Sequence, residues 1–142
     1  MRCEELMTPE PEVLRTDDTV RTAAAKMRDG NIGFLPVLDD VEQLVGVVTD
    51  RDLAIRVLAE ALPPETLAAE VMTVDVVTCN PDDDVLRAER LMRVNQKGRL
   101  AVVDDADRLV GVISLADIAQ YDEAGRTGTV LGDITEREAN VR

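Results

Sequence analysis

Two short motifs hold the residues best suited to chemistry in this chain, Thr49-x-x-Asp52 and Ser114-x-x-Asp117. Each follows an apolar run and joins a hydroxyl to a carboxylate three residues on, so both groups fall at a strand-to-helix junction. An ionised carboxylate there can accept hydrogen bonds from both vicinal hydroxyls of a ribose. A Thr or Ser hydroxyl at a helix start sits beside unpaired backbone N–H groups and the positive end of the helix dipole, which suits a phosphate. The same spacing describes an ordinary N-terminal capping box with Asp in the Glu/Gln position. Both readings can hold together, because capping fixes the hydroxyl near the helix N-terminus. Gly33 and Gly98 precede further apolar runs; such a glycine either ends a helix or lets the backbone approach a flat base and bond its edge. Arg51 falls in a first helical turn, where a cation opposes the dipole unless an anion lies nearby.

Other chemistries lack their residues. The chain has no histidine, which removes the commonest general base, the Ser/His and Cys/His nucleophile pairs and the usual catalytic zinc ligands. Cys3 and Cys79 have no CxxC spacing, so neither a zinc site nor a disulfide framework is expected. The net charge of −13 and the absence of a basic stripe argue against nucleic acid and anionic membranes. Phe34 and Tyr121 are the only aromatics, too few for base-stacking along a single strand. Met1-Arg2-Cys3-Glu4-Glu5 leads into no apolar leader, and no run approaches a membrane span. The expectation is a cytoplasmic, non-catalytic protein that needs no metal and no resident cofactor.

The elements that must position these motifs come in two copies. Offset by 65 residues, the chain matches itself without a gap: Met7-Thr8 falls on Met72-Thr73, Asp17-Asp18 on Asp82-Asp83, and Leu44-Val45-Gly46-Val47 on Leu109-Val110-Gly111-Val112. About 19 of about 48 aligned positions are identical, where chance gives about three, so a supersecondary unit has been repeated. In each copy a short extended segment (12–15, 74–79) precedes an amphipathic helix (19–29, 83–95), whose apolar residues recur at helical spacing. Two strands follow, 34–38 with 44–49 and 100–103 with 109–114, joined by the acidic turns Asp39-Asp40 and Asp104-Asp105. A closing helix is expected over 50–62 and 115–121. Repeat 1 spans 1–62, Pro63-Pro64 marks a linker over 63–66, repeat 2 spans 67–121, and the Gly- and charge-rich tail 122–142 receives no firm structure. The fold class is α/β in content (α+β), two βαββα repeats about a pseudo-two-fold axis.

This order, with Gly-h-h-Thr/Ser-x-x-Asp (h apolar) at the last junction, resembles the cystathionine β-synthase-type (CBS) domain. The run reads Gly46-Val47-Val48-Thr49-Asp50-Arg51-Asp52 and again Gly111-Val112-Ile113-Ser114-Leu115-Ala116-Asp117. Met-Thr opens each repeat; Leu35-Pro36-Val37-Leu38-Asp39 enters the middle strand, with Ala101 replacing the Pro in the second copy. The resemblance covers about residues 5–121. It implies a tandem pair, or Bateman module, that senses AMP, ADP, ATP or S-adenosylmethionine and pairs into homodimers. It further implies two clefts, one using Ile32 and Gly33 with Ser114 and Asp117, the other Lys97 and Gly98 with Thr49, Arg51 and Asp52. Arg51, Lys97 and Arg99 fall in one cleft, opposite Ala116, Ile32 and Phe34 in its twin, so the Arg51 cleft is expected to favour phosphorylated adenosine. With no effector domain in the chain, output is expected through a partner in trans. The rival expectation is a ligand-free dimerisation or docking module.

Overall fold

The computed structural model describes residues 1–121, and the tail 122–142 lies outside them. The chain forms two compact units, cut differently from the repeats. One is the mid-chain unit Glu12–Val76; the other, the split unit, joins Met1–Pro11 to the chain from Val77 onward. Each unit therefore takes its Met-Thr segment from the other copy of the duplication.

In the mid-chain unit, β2 (Leu14–Arg15) lies parallel to β3 (Phe34–Leu38), which forms an antiparallel hairpin with β4 (Leu44–Thr49). The crossover between β2 and β3 is α2 (Val20–Gly30), as parallel strands require a long connection. Thr19 caps α2 by accepting the Thr22 N–H at 3.2 Å, and Asn31 ends it at φ 52°, a left-handed conformation that Asn tolerates. Val20, Ala23 and Met27 form the buried stripe of α2, and Leu14, Leu35, Val37, Val48 and Ala68 complete the core. The short α4 (Ala68–Val71) leads to Thr73, which bridges Val47 on the free side of β4.

The split unit repeats the pattern. β5 (Thr78–Cys79) runs parallel to β6 (Arg99–Val103), β6 pairs with β7 (Leu109–Ser114), and β1 (Thr8–Pro9) completes the sheet antiparallel to β7. α5 (Val85–Asn95) makes the crossover; α1 (Cys3–Leu6) and α6 (Leu115–Tyr121) complete the unit. Its core joins Cys3, Cys79, Met92, Leu100, Val102, Ile113 and Ile118.

Gly46 and Gly111 admit the Met-Thr segments. A Cβ on Gly46 would lie 2.6 Å from Met72 Sδ and 2.9 Å from the Thr73 carbonyl oxygen; one on Gly111 would lie 2.5 Å from Met7 Sδ and 2.9 Å from that of Thr8. The repeat's Met-Thr and Gly marks are thus two sides of one contact, made twice.

The expected strands and crossover helices are present, with ends shifted by a few residues. The helix expected over 50–62 differs. α3 (Asp50–Asp52) runs into a π-helical stretch, Leu53–Leu58, whose wider turn persists in the bonds Ala59 N–H to Ala54 and Leu62 N–H to Val57. Periodicity misses this because a single widened turn leaves the apolar spacing nearly helical. It also misses α1 and α4, which at four residues are too short to show a period.

Candidate functional site

In the mid-chain unit the end of the β3–β4 hairpin collects five of the nine expected site residues. Thr49, paired with Phe34 across the strands, turns out of β4 and caps α3. Its Oγ1 accepts the Asp52 N–H at 3.2 Å, and Asp52 Oδ2 accepts the Thr49 N–H at 2.9 Å. The capping box is therefore real. Asp52, only 8% exposed, carries more. Thr73 Oγ1 lies 3.2 and 3.3 Å from its two oxygens and donates to the carboxylate, and Arg56 Nε stands 3.8 Å from Oδ1. Arg56 Nη1 also donates to the carbonyls of Val71 and Met72 at 3.2 and 3.1 Å, tying the end of α4 to this carboxylate.

Gly33 lies beside them: its carbonyl accepts the Asp50 N–H at 3.1 Å, and a Cβ there would fall 2.8 Å from Asp50 Oδ2. Ile32 is half-buried against the core. Arg51 is exposed, and its guanidinium has no partner among the described residues.

The split unit places the other four together. Ser114 Oγ accepts the Asp117 N–H at 3.1 Å, and Asp117 Oδ2 accepts the Ser114 N–H at 2.9 Å. The Gly98 carbonyl accepts the Leu115 N–H at 2.8 Å, and Lys97 is exposed beside it. Here the twin motifs part. Tyr121 stands where Arg56 stands in the first copy, and Thr8 where Thr73 stands. Among the described residues neither reaches Asp117, whose Oδ1 has no donor. Asp52 is held by three neighbours, Asp117 by one.

Within each unit, then, the glycine edge and the hydroxyl–carboxylate pair share one end of one sheet. The resemblance assigns those two sets to opposite clefts. Arg56 was missed in the sequence, although it stands at i+4 from Asp52, the spacing of a helical ion pair. Thr73 carried only the signal of its repeated Met-Thr context. Among the described residues, no three His, Cys, Asp or Glu side chains gather as a metal would require, and no helix is long and apolar enough to cross a membrane.

A hydroxyl and a carboxylate locked at the end of a strand, twice over on a duplicated βαββα unit, are the marks of a tandem CBS domain pair. The CBS domain model matches residues 3–59 and 68–124, and the chain belongs to that family. It is 36% identical over 137 residues to the uncharacterized protein YlbB of Bacillus subtilis (strain 168), covering 95% of this chain and 92% of that one. It is similar to the crystal structure of Hypoxic Response Protein I with two coordinated zinc ions, at 30% identity and a TM-score of 0.78, over 86% of this chain and 99% of that one. It also resembles the CBS domain pair of protein MJ0100, solved in complex with 5-methylthioadenosine and S-adenosyl-L-methionine, at 27% identity and a TM-score of 0.75, over 85% and 94% of the two chains.

Proposed function

We propose that this chain is a non-catalytic sensor that binds an adenosine-containing ligand, of the AMP, ADP, ATP or S-adenosylmethionine class, through Thr49 and Asp52 and through Ser114 and Asp117. The observation that carries the reading is the reciprocal capping at both motifs, which holds a hydroxyl and a carboxylate in fixed relation at each sheet end. Preorganised groups lose little freedom when a ligand arrives. The adenosyl compounds bound by the MJ0100 domain pair support the ligand class.

Ile32, Gly33, Lys97 and Gly98 are assigned to the base, and a backbone carbonyl with a second lone pair can still accept from an adenine amino group. Asp117 Oδ1, with no donor among the described residues, is assigned to a ribose hydroxyl. At Asp52 a ribose must share the carboxylate with the Thr73 hydroxyl or displace it, so the two motifs differ in the bonds a ligand meets. Arg51, unpaired among the described residues, is assigned to a phosphate. The reading also takes the working form as a homodimer that signals to an effector protein in trans.

Thermal unfolding with and without AMP, adenosine and S-adenosylmethionine tests the proposal, since a ligand held only by the native state raises the midpoint. A concentration-dependent rise with at least one of them is expected. An unchanged midpoint with all three at millimolar concentration would leave the docking module as the better account.

A further inference from the structure

Cys3 and Cys79 are 76 positions apart, and the fold brings them together in the core of the split unit. Their sulfur atoms lie 3.8 Å apart, with residue exposures of 0% and 4%. Cys79 donates its S–H toward Cys3 Sγ, and Cys3 Sγ stands 3.9 Å from the Asp84 carbonyl oxygen. A buried thiol is often just a small apolar filler. The duplication supplies a control for that explanation: the matching positions, 65 residues away in each case, are Ala68 and Leu14, both fully buried in the core of the mid-chain unit. The fold thus fills the same two places with hydrocarbon in the mid-chain unit and with two touching sulfurs in the split unit.

We propose that Cys3 and Cys79 are a redox modification site, which closes to a reversible intramolecular disulfide under peroxide. The gap must shorten from 3.8 Å to about 2.05 Å. Cys3 sits on α1, a four-residue helix anchored by its neighbours, with the Cys3 N–H on the Asp83 carbonyl at 2.8 Å and the Glu4 N–H on that of Pro81 at 3.0 Å. So short a helix has no stability of its own, and its local opening admits a small oxidant. The hydrogen bond from Cys79 holds the Cys3 thiol below its ordinary value, while that bond and burial push the Cys79 thiol up. Cys3, carried on the short α1 that opens, is the first nucleophile. Its thiolate attacks hydrogen peroxide, giving a sulfenic acid and, with the proton it shed, one water. Cys79 then attacks that sulfur; the S–S bond forms and a second water leaves with its proton. The staple fixes α1, and with it the Met7-Thr8 strand that pairs alongside β7.

Intact mass spectrometry of the full chain after peroxide treatment reads the outcome. The expected result is the loss of two hydrogens from the monomer, one Cys3–Cys79 cross-linked peptide in a non-reducing digest, and full reversal by dithiothreitol. Cys3→Ala and Cys79→Leu, which copy the matching hydrocarbon of the mid-chain unit, should lose the cross-link and keep the fold. The oxidised wild type should melt several degrees higher, because the bond closes a long loop. Two thiols still free, irreversible oxidation at either one, or a disulfide between two chains would each overturn the proposal.

Discussion

Asp52 and Asp117 occupy the same place in the same motif, yet their surroundings give them different work. Asp52 takes the Thr49 N–H, the Thr73 hydroxyl and the Arg56 guanidinium, whereas Asp117 takes the Ser114 N–H. Asp52→Ala takes the carboxylate away from the half-buried Thr73 hydroxyl and from Arg56 Nε, so it should cost about 1–3 kcal/mol of stability in urea unfolding. Asp117→Ala should cost less in that measurement and should weaken an adenosyl ligand by about 1.5–3 kcal/mol. Equal stability losses for the two variants would contradict the asymmetry. Arg51, with no partner among the described residues, should matter for charge alone. Arg51→Ala should weaken AMP much more than adenosine, and added salt should narrow the difference, which titration at two ionic strengths reads directly. At this scale the capping boxes were legible because they are local, three residues from hydroxyl to carboxylate. Thr73 was not, because its bond to Asp52 depends on a strand bridge between Val47 and Thr73. The cysteine pair was illegible for the same reason: spacing rules catch neighbours, and these thiols meet across 76 positions.

At the scale of elements, the glycine within each last strand, Gly46 in β4 and Gly111 in β7, decides how closely the Met-Thr segment can pack. Gly46→Ala would drive a methyl against Met72 Sδ and the rigid carbonyl of Thr73, and Gly111→Ala would do the same to Met7 and Thr8. The sulfur can swing aside on a flexible side chain; the backbone carbonyl cannot. Each substitution should destabilise the chain by about 1–3 kcal/mol, seen as a lower urea midpoint at unchanged slope. A neutral result at both would mean that the segments are not held against β4 and β7 as described. The strands and the crossover helices α2 and α5 were legible because alternation and helical spacing run long enough to count. The π-helical stretch after Asp52 was not, and neither were the four-residue helices, whose existence rests on packing against the sheet rather than on any local period. The exchange of Met-Thr segments was equally hidden. A repeat read along the chain keeps Met7-Thr8 with Gly46, and the fold pairs it with Gly111.

For the whole molecule, the duplication yields two units with matched sheet ends and unmatched details, in a chain of net charge −13. Several large apolar side chains stay exposed on the helical elements: Ile55 and Leu58 on the π-helical stretch, Leu86 and Val94 on α5, with Leu58 at 78% and Val94 at 71%. Covering such residues is what a two-fold homodimer accomplishes, so light scattering across micromolar concentrations should report twice the chain mass. A monomer throughout would refute the dimer without touching the ligand assignment. The central claim is that this CBS pair binds an adenosyl compound through its hydroxyl–carboxylate motifs. Isothermal titration of the full chain with AMP, adenosine and S-adenosylmethionine tests it most directly. The account predicts saturable heat with at least one of the three, weakened in a folded Asp117→Ala variant. Absence of heat with all three, or binding that a folded Asp52→Ala/Asp117→Ala double variant retains unchanged, would contradict it.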